Sequence, residues 1–306
     1  MTRKWEDHFV DWAKPPGKTE SDRIETTISS IRNALNADAF LKSNSKVYVQ
    51  GSYRNRVNVR QDSDIDVGVI YTGNTFYPDY PGGMSNADFG NIDGDHNYRE
   101  FKDQVGRALV SYYGASAVTR GNKAFDLHEN TYRVDADVVP VFEHRRYSRD
   151  GSYICGVQLC PDNGGKIINW PERLFDNANW PNQHYENGVS KNAATNKRYK
   201  GVVRIIKKLK NLMGEGGSEI AKQTPGFLVE CLVWNCPASC FEGNYWEDDV
   251  RNCILFLWSN LKYVALCGEW GEVSEYKHLF KGSPDSKREN AWKFVDQAWD
   301  AIGVKT

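Results

Sequence analysis

The sequence lacks the long apolar segments that mark export or membrane insertion. Residues 1–15 are charged and aromatic, and no later run reaches the roughly 18 apolar residues needed to cross a bilayer. We therefore expect a cytoplasmic protein with no membrane partner. No internal repeat or tract of biased composition interrupts the 306 residues, so the chain is expected to fold throughout.

A strong net charge is also missing. The chain carries 39 Lys and Arg against 40 Asp and Glu, which gives a formal net charge of -1. Proteins that bind long nucleic acid usually present broad basic surfaces. We therefore expect no long nucleic acid partner, and any basic site should be local.

The cysteines do not form a complete zinc motif. Seven cysteines, in a chain with no export signal, favour reduced thiols over a disulfide framework. Cys231, Cys236 and Cys240 lie closest to a ligand pattern, but they lack a C-x-x-C knuckle and no His follows nearby. This spacing disfavours zinc, which needs a closed set of four ligands in a structural site.

Hydrophobic periodicity predicts a mixed α/β arrangement in the first half of the chain. The predicted elements are a helix over 19–43, strands over 46–50 and 63–71, a long loop over 72–97 and a helix over 98–113. Extended segments over 117–120, 124–129 and 131–143 and a hairpin over 153–169 complete this part.

From residue 190 onward the periodicity is helical. The predicted helices are 190–213, 223–235, 245–266 and 287–302. Because the strand pattern stops at Trp170-Pro171, we place a domain boundary near 170. The predicted fold class is α+β, with a mixed-sheet lobe over 1–170 that includes the N-terminal helix and a helical lobe over 171–306.

Two aspartates in the second strand form the sharpest local signal. Residues two apart in a strand point to the same side, so Asp64 and Asp66 project together. Adjacent like charges repel, and Mg²⁺ prefers such carboxylate oxygens and keeps substrate phosphates among its ligands. Because such pairs are also common on exposed strands, the pair alone is weak evidence for a metal site.

A glycine-serine turn precedes this pair. Gly51 permits close approach of the backbone, and Ser52 offers a hydroxyl and an amide to a phosphate. This arrangement suits a triphosphate if the turn opens a helix.

A later strand supplies a third carboxylate. Asp135 and Asp137 share one face of the predicted strand over 131–143. Two metal ions for an in-line displacement are held about 3.5–4 Å apart, and they usually need such a third acidic ligand. We therefore expect two Mg²⁺ ions, with Mn²⁺ as the alternative.

A basic helix over 196–210 is a further candidate element. Val202, Val203, Ile205, Ile206 and Leu209 are expected to pack inward. Lys200, Arg204 and Lys207 then form one positive stripe, which either binds phosphates or is a solvated face.

Taken together, these motifs resemble the nucleotidyltransferases related to cyclic GMP-AMP synthase and oligoadenylate synthase. Gly51-Ser52, Asp64-x-Asp66, Asp137 and the helix from Val203 to Lys207 carry the resemblance, which spans about residues 45–235. Within this group the chain looks most like the bacterial CD-NTases, second-messenger synthases of the anti-phage CBASS operons.

The resemblance implies a polymerase-beta-like catalytic lobe, with the active site in a cleft against the helical lobe. It places the triphosphate at Gly51 and Ser52, the metal ions at Asp64, Asp66 and Asp137, and the phosphate tail at Lys207. We prefer Asp137 to Asp135 because the run that follows it, Val138-Val139-Pro140, is similar to that of the family.

The chain departs from the family at the next helix. Members often have Ser or Gln followed by Tyr there, whereas this chain has Thr224-Pro225-Gly226-Phe227. Either Thr224 or backbone amides would replace the missing hydroxyl. We interpret Phe227 as a buried core residue, with a place in the base pocket as the alternative.

The expected activity is therefore the joining of nucleoside triphosphates, ATP among them, into a cyclic oligonucleotide. Regulatory or effector proteins from the same operon are candidate partners. One alternative is a linear nucleotidyl or adenylyl transfer onto RNA or a small-molecule hydroxyl. Another is a catalytically silent binding protein, which the presence of all three aspartates disfavours.

Overall fold

The computed structural model describes residues 4–60, 64–170 and 183–303. Their contacts form two compact units. The sheet unit contains residues 18–53 and 64–170, and the helical unit contains residues 4–17, 54–60 and 183–303. The predicted boundary near 170 adjoins residues 171–182, which lie outside the described residues, so it stays a prediction.

The strands in the described residues are β1 (Ser45–Gln50), β2 (Ile65–Tyr71), β3 (Phe76–Asp79), β4 (Val118–Arg120), β5 (Phe125–Leu127), β6 (Ala136–Tyr147), β7 (Tyr153–Leu159) and β8 (Ile167–Asn169). The helices are α1 (Glu6–Trp12), α2 (Lys18–Asn36), α3 (Ala39–Asn44), α4 (Gly51–Arg54), α5 (Tyr98–Tyr113), α6 (Gln183–Ala194), α7 (Arg198–Glu215), α8 (Glu219–Gln223), α9 (Gly226–Trp234), α10 (Trp246–Leu261), α11 (Val264–Cys267) and α12 (Asp285–Ala301). The same described ranges contain three short 3₁₀ helices, at Asn86–Phe89, Ala115–Ala117 and Ala238–Phe241.

The sheet is built around the long strand β6. The strand order along one path is β1-β2-β6-β5-β4, while β3 and β7 pair with the second half of β6 and β8 pairs with β7. The β2–β6 and β3–β6 pairs are parallel and the other pairs are antiparallel. This mixed sheet confirms the predicted α+β class.

Helices α2 and α5 cover the sheet because each carries apolar residues at helical spacing. Their buried side chains pack in one core with the sheet interior: Ile24, Ile28, Ile31 and Leu35 from α2, and Phe101, Val105 and Leu109 from α5. Helix α5 has the predicted bounds, 98–113, because the Asn97 side chain caps its start by accepting a hydrogen bond from the Arg99 amide, and Gly114 ends it.

Two predictions in the sheet unit were wrong. The helix predicted over 19–43 is two helices, because the Asp38 side chain accepts a hydrogen bond from the Leu41 amide and starts α3 anew. The loop predicted over 72–97 contains β3 and a 3₁₀ helix. Pro78 within β3 concealed the strand, because proline is rare inside sheets. The predicted hairpin over 153–169 is confirmed by the pairing of β7 with β8.

The helical unit has α7 at its centre. The predicted inward-facing residues of this helix are all buried: Val202, Val203, Ile205, Ile206 and Leu209. The helix predicted over 190–213 is interrupted between α6 and α7, where Asn196 and Lys197 adopt left-handed backbone conformations with φ values of 49° and 65°.

Other helical boundaries also differ from the prediction. The helix predicted over 245–266 is α10 followed by α11, and the short helices α1 and α8 were not predicted. No helix in the described ranges is both long and apolar enough to cross a bilayer.

Candidate active site

Asp66 and Asp137 stand beside each other on the parallel strands β2 and β6. Asp66 is the direct Cα partner of Asp137 in this register. The residues flanking both aspartates are buried, whereas the aspartates themselves are half-buried. Because side chains in register point to the same side of a sheet, the two carboxylates share one face.

Asp64 lies one residue before β2, which begins at Ile65. Loss of water by burial, and then the charges of Asp66, Asp126 and Asp64, raise the pKa of Asp137 from 3.8 to about 6. The pKa of Asp64 is raised as well, by burial first and then by the charge of Asp135. The structure therefore brings all three predicted aspartates, Asp64, Asp66 and Asp137, into one electrostatic cluster.

A further carboxylate, Asp126, was not predicted. It lies on β5 as the direct Cα partner of Asp137 and hydrogen-bonds to it. Its neighbours Phe125 and Leu127 are buried, as the alternation of side chains along a strand requires. The strand has only three residues, too few for periodicity to place it in register.

Asp135 has a different environment. Its carboxylate accepts a hydrogen bond of 2.7 Å from the Glu129 amide, and its backbone carbonyl accepts one of 3.1 Å from the Ile65 amide. This carboxylate therefore orders the segment that enters β6, whereas Asp137 has its carboxyl beside that of Asp126. The choice of Asp137 over Asp135 stays a prediction.

Gly51 lies directly against the aspartate cluster. Its φ of 69° is in the left-handed region, and a β-carbon added here would lie 1.9 Å from Oδ2 of Asp66. Any larger residue would displace that carboxylate, so glycine is required for two independent reasons. Gly51 also begins α4, with Ser52 half-buried behind it, so the predicted turn does open a helix.

The donor chemistry of this cluster suits a hard divalent cation. Carboxylate oxygens are the ligands that Mg²⁺ prefers. Burial and then the neighbouring carboxylates raise the pKa of Asp137, and a cation would offset the repulsion between these charges. Within residues 4–60, 64–170 and 183–303, no three His, Cys, Asp or Glu side chains are already arranged as metal ligands.

The basic residues of α7 are buried rather than solvated. Lys200, Arg204 and Lys207 are between 5% and 8% exposed. This burial contradicts the solvated-face alternative, while phosphate binding by the stripe stays a prediction. Arg204 donates hydrogen bonds to the carbonyls of Ala13 and Arg56. The guanidinium of Arg204 has several N–H donors, so it can bind two separate segments of the chain to α7 at once.

Lys207 forms a different contact. Its Nζ lies 3.5 Å from Oε2 of Glu230 on α9, and the Glu230 carboxylate also contacts the ring of His184. Lys207 therefore belongs to a buried charged group within the helical unit, and its contact with a phosphate tail stays a prediction.

The structure also describes Thr224 to Phe227, where the sequence departs from the family. The Thr224 hydroxyl donates a hydrogen bond of 2.7 Å to the Ile220 carbonyl and so ends α8. Phe227 is 46% exposed, with its ring centroid 6.0 Å from that of His184. The interpretation of Phe227 as a buried core residue was wrong, because at this position in α9 the side chain points away from the core.

Comparison with known proteins identifies the family. The family model for the cGAS/DncV-like nucleotidyltransferase C-terminal helical domain matches residues 186–303. A cyclic dipyrimidine nucleotide synthase, CdnE, of Cecembia lonarensis is 38% identical over 304 residues, which covers 99% of both chains. The CdnE of Legionella pneumophila, also a cyclic dipyrimidine nucleotide synthase, is 38% identical over 308 residues, again with 99% of both chains covered.

Solved structures agree with this assignment. The CdnE cyclic dinucleotide synthase of Elizabethkingia meningoseptica, determined with GTP and Apcpp, has a TM-score of 0.77 and 29% identity over 97% of this chain and 98% of that one. The Rhodothermus marinus CdnE c-UMP-AMP synthase has a TM-score of 0.76 and 29% identity over 97% of each chain. The chain is therefore a nucleotidyltransferase and belongs to the bacterial CD-NTase family.

Proposed function

We propose that the enzyme joins two nucleoside triphosphates into a cyclic dinucleotide that contains at least one pyrimidine nucleotide, and releases pyrophosphate. The observation that carries the chemistry is the register of Asp66 with Asp137, which sets two acidic side chains side by side next to Gly51. In each transfer, a ribose hydroxyl of one nucleotide attacks the α-phosphorus of the other. The bond to pyrophosphate breaks, and the hydroxyl proton passes to Asp137.

The preference for pyrimidines rests on the relatives. Two proteins that are 38% identical over 99% of their length are cyclic dipyrimidine nucleotide synthases. The cyclic UMP-AMP synthase of Rhodothermus marinus is 35% identical, and the cyclic dipurine nucleotide synthase of Elizabethkingia meningoseptica is 30% identical. The order of identity favours CTP or UTP as one substrate, with ATP as a candidate for the other.

Asp64, Asp66 and Asp137 would hold two Mg²⁺ ions, with Mn²⁺ as the alternative. When bound, the metal neutralises phosphate charge and lowers the pKa of the attacking hydroxyl. The backbone at Gly51, the hydroxyl of Ser52 and the amine of Lys207 would bind and orient the triphosphate. Positioning of this kind contributes much of the rate in phosphoryl chemistry, because the reacting groups are then held in line.

The product would act as a second messenger in anti-phage signalling, in the cytoplasm. Its receptor would be an effector protein from the same operon, and regulatory proteins from that operon are further candidate partners. The near-neutral charge of the chain, -1, supports a mode of activation that does not use long nucleic acid.

The test uses purified enzyme, Mg²⁺ and pairs of nucleoside triphosphates in which one is labelled at the α-phosphate. We expect a labelled product that resists phosphatase, because a cyclic phosphodiester has no terminal phosphate. Mass spectrometry after nuclease digestion would identify the bases and linkages. A product whose label is released entirely by phosphatase would contradict cyclisation and favour a linear transferase, and products from purines alone would contradict the base assignment.

A further inference from the structure

A buried carboxylate in the helical unit holds two other side chains at once. Glu230 on α9 is 3% exposed. Its Oε2 lies 3.5 Å from Nζ of Lys207, and its Oε1 lies 3.0 Å from Nε2 of His184. The side chains of Lys207 and His184 are also largely buried, at 7% and 12% exposed.

The three groups depend on one another energetically. A buried carboxylate without partners is costly, because it loses its hydration. Although burial acts to raise the pKa of Glu230, the charge of Lys207 and the hydrogen bond from His184 lower it below its ordinary value. Glu230 is therefore ionised in the folded protein, and this fixed negative charge restrains the amine of Lys207.

The contacts continue toward the segment that follows the glycine-serine turn. The amide Nδ2 of Asn55 lies 2.8 Å from Nε2 of His184. Asn55 comes directly after α4, which begins at Gly51. Within the helical unit, a chain of contacts thus runs from Asn55 through His184 and Glu230 to Lys207.

We infer that Glu230, supported by His184, is a positioning residue that holds the Lys207 amine in place for the phosphate tail of a nucleoside triphosphate. This inference rests on the proposed role of Lys207. A lysine side chain has many rotamers, and fixing it before binding removes an entropic cost from ligand binding. The carboxylate of Glu230, 3.5 Å from Nζ of Lys207, supplies that restraint.

The experiment is a double-mutant cycle. The Kd of a non-hydrolysable nucleoside triphosphate with Mg²⁺ is measured by calorimetry for the wild type, Glu230→Gln, Lys207→Met and the double variant. If Glu230 acts through Lys207, each single substitution weakens binding about 10-fold and the double variant is no weaker than Lys207→Met, because coupled residues are not additive. Independent effects would instead multiply to about 100-fold, and that outcome would overturn the inference.

A matched control separates positioning from folding. Glu247 is also a buried glutamate of the helical unit, 4% exposed, with an ion pair of 2.8 Å to Arg251. Glu247→Gln should lower the thermal midpoint but change the Kd less than about 2-fold, because distant sites behave independently. An equal loss of affinity in Glu247→Gln would mean that Glu230 acts only through stability.

A second cycle uses two further variants, His184→Gln alone and His184→Gln combined with Lys207→Met. His184→Gln removes the second contact of Glu230 and should weaken binding about 3-fold in the wild type but not in Lys207→Met, by the same coupling argument. This second cycle carries the test if Glu230→Gln does not fold. Because binding is measured without turnover, a linear product in the assay of the proposed function would leave this result unaffected.

Discussion

The carboxylate of Asp66 occupies the space that a side chain at Gly51 would need. A β-carbon at Gly51 would lie 1.9 Å from Oδ2 and 2.8 Å from Cγ of Asp66. The glycine-serine turn and the first aspartate pair are therefore one structural feature, although they are a dozen residues apart in the chain.

We expect Gly51→Ala to reduce turnover at least about 100-fold, because a displacement of about 1 Å at a reacting centre has effects of that size. The φ of 69° adds a conformational cost of roughly 1–2 kcal/mol for a residue with a β-carbon. Gly90→Ala is the matched control, since its φ is 65° but nothing lies within 4 Å of its added β-carbon. Equal turnover losses in both variants would show that backbone strain, rather than Asp66, is responsible.

The second prediction concerns pH. The pKa of Asp137 in the folded protein is about 6, above its ordinary value of 3.8, because of burial and the neighbouring charges. The folded state therefore binds more protons than the unfolded state between these values, and stability falls as the pH rises through this window. Urea unfolding without metal should show this fall in the wild type, and Asp137→Asn should reduce it.

Asp162→Asn is the control, because the pKa of Asp162 is shifted in the opposite direction to that of Asp137. The hydrogen bond from Arg120 lowers the pKa of Asp162, so its stabilising contribution is present at neutral pH and is lost on acidification. This substitution should change the pH profile only at the acidic end. A wild-type profile that is unchanged by Asp137→Asn between pH 4 and 6 would contradict the clustering of carboxylates, given the window set by the two pKa values.

The sequence predicted those parts of the fold whose signals are local. Helix α5 has its predicted bounds because Asn97 and Gly114 are capping residues that act within one turn of it. Asp64 and Asp66 were recognisable as a pair because side chains alternate along a strand with a period of two, although β2 itself begins at Ile65.

Features set by long-range contacts were not predictable in this way. Asp126 joins the site only through the register of the three-residue strand β5 with β6. Glu230 lies in an apolar stretch of α9, and its partners Lys207 and His184 are 23 and more residues away in the chain. Such pairings depend on tertiary packing, which periodicity does not encode.

The third prediction concerns metal binding. Mg²⁺ that binds only the folded protein should stabilise it by about 2.7 kcal/mol at a concentration 100 times its Kd. The variant Asp64→Asn with Asp66→Asn should lose this stabilisation and all turnover. Without metal its thermal midpoint should equal or exceed that of the wild type, because clustered negative charge has been removed.

Asp93 and Asp95 supply the matched control for this double substitution. They form a second Asp-x-Asp pair, but both residues are exposed and lie outside the site. Asp93→Asn with Asp95→Asn should keep the stabilisation by Mg²⁺ and the turnover. Stabilisation by Mg²⁺ that survives Asp64→Asn with Asp66→Asn would place the metal elsewhere.

The fourth prediction separates two cations of α7 that are three residues apart. Arg204 donates to the carbonyls of Ala13 and Arg56, and burial lowers its pKa to about 10. Arg204→Met leaves both carbonyls without this donor, so we expect the free energy of unfolding to fall by about 2–5 kcal/mol. Lys222→Met, which removes only an exposed ion pair with Glu219, should change it by less than about 1 kcal/mol.

The nucleotide affinity of the folded protein distinguishes Arg204 from Lys207. Arg204 is used internally, so Arg204→Met should leave the Kd for a nucleoside triphosphate within about 2-fold when measured well below the thermal midpoint. Lys207→Met should weaken it about 10-fold, because a contact with an anionic ligand is lost. If Arg204→Met lowered the affinity as much as Lys207→Met while leaving stability intact, both residues would contact phosphate, and the internal role of Arg204 would be wrong.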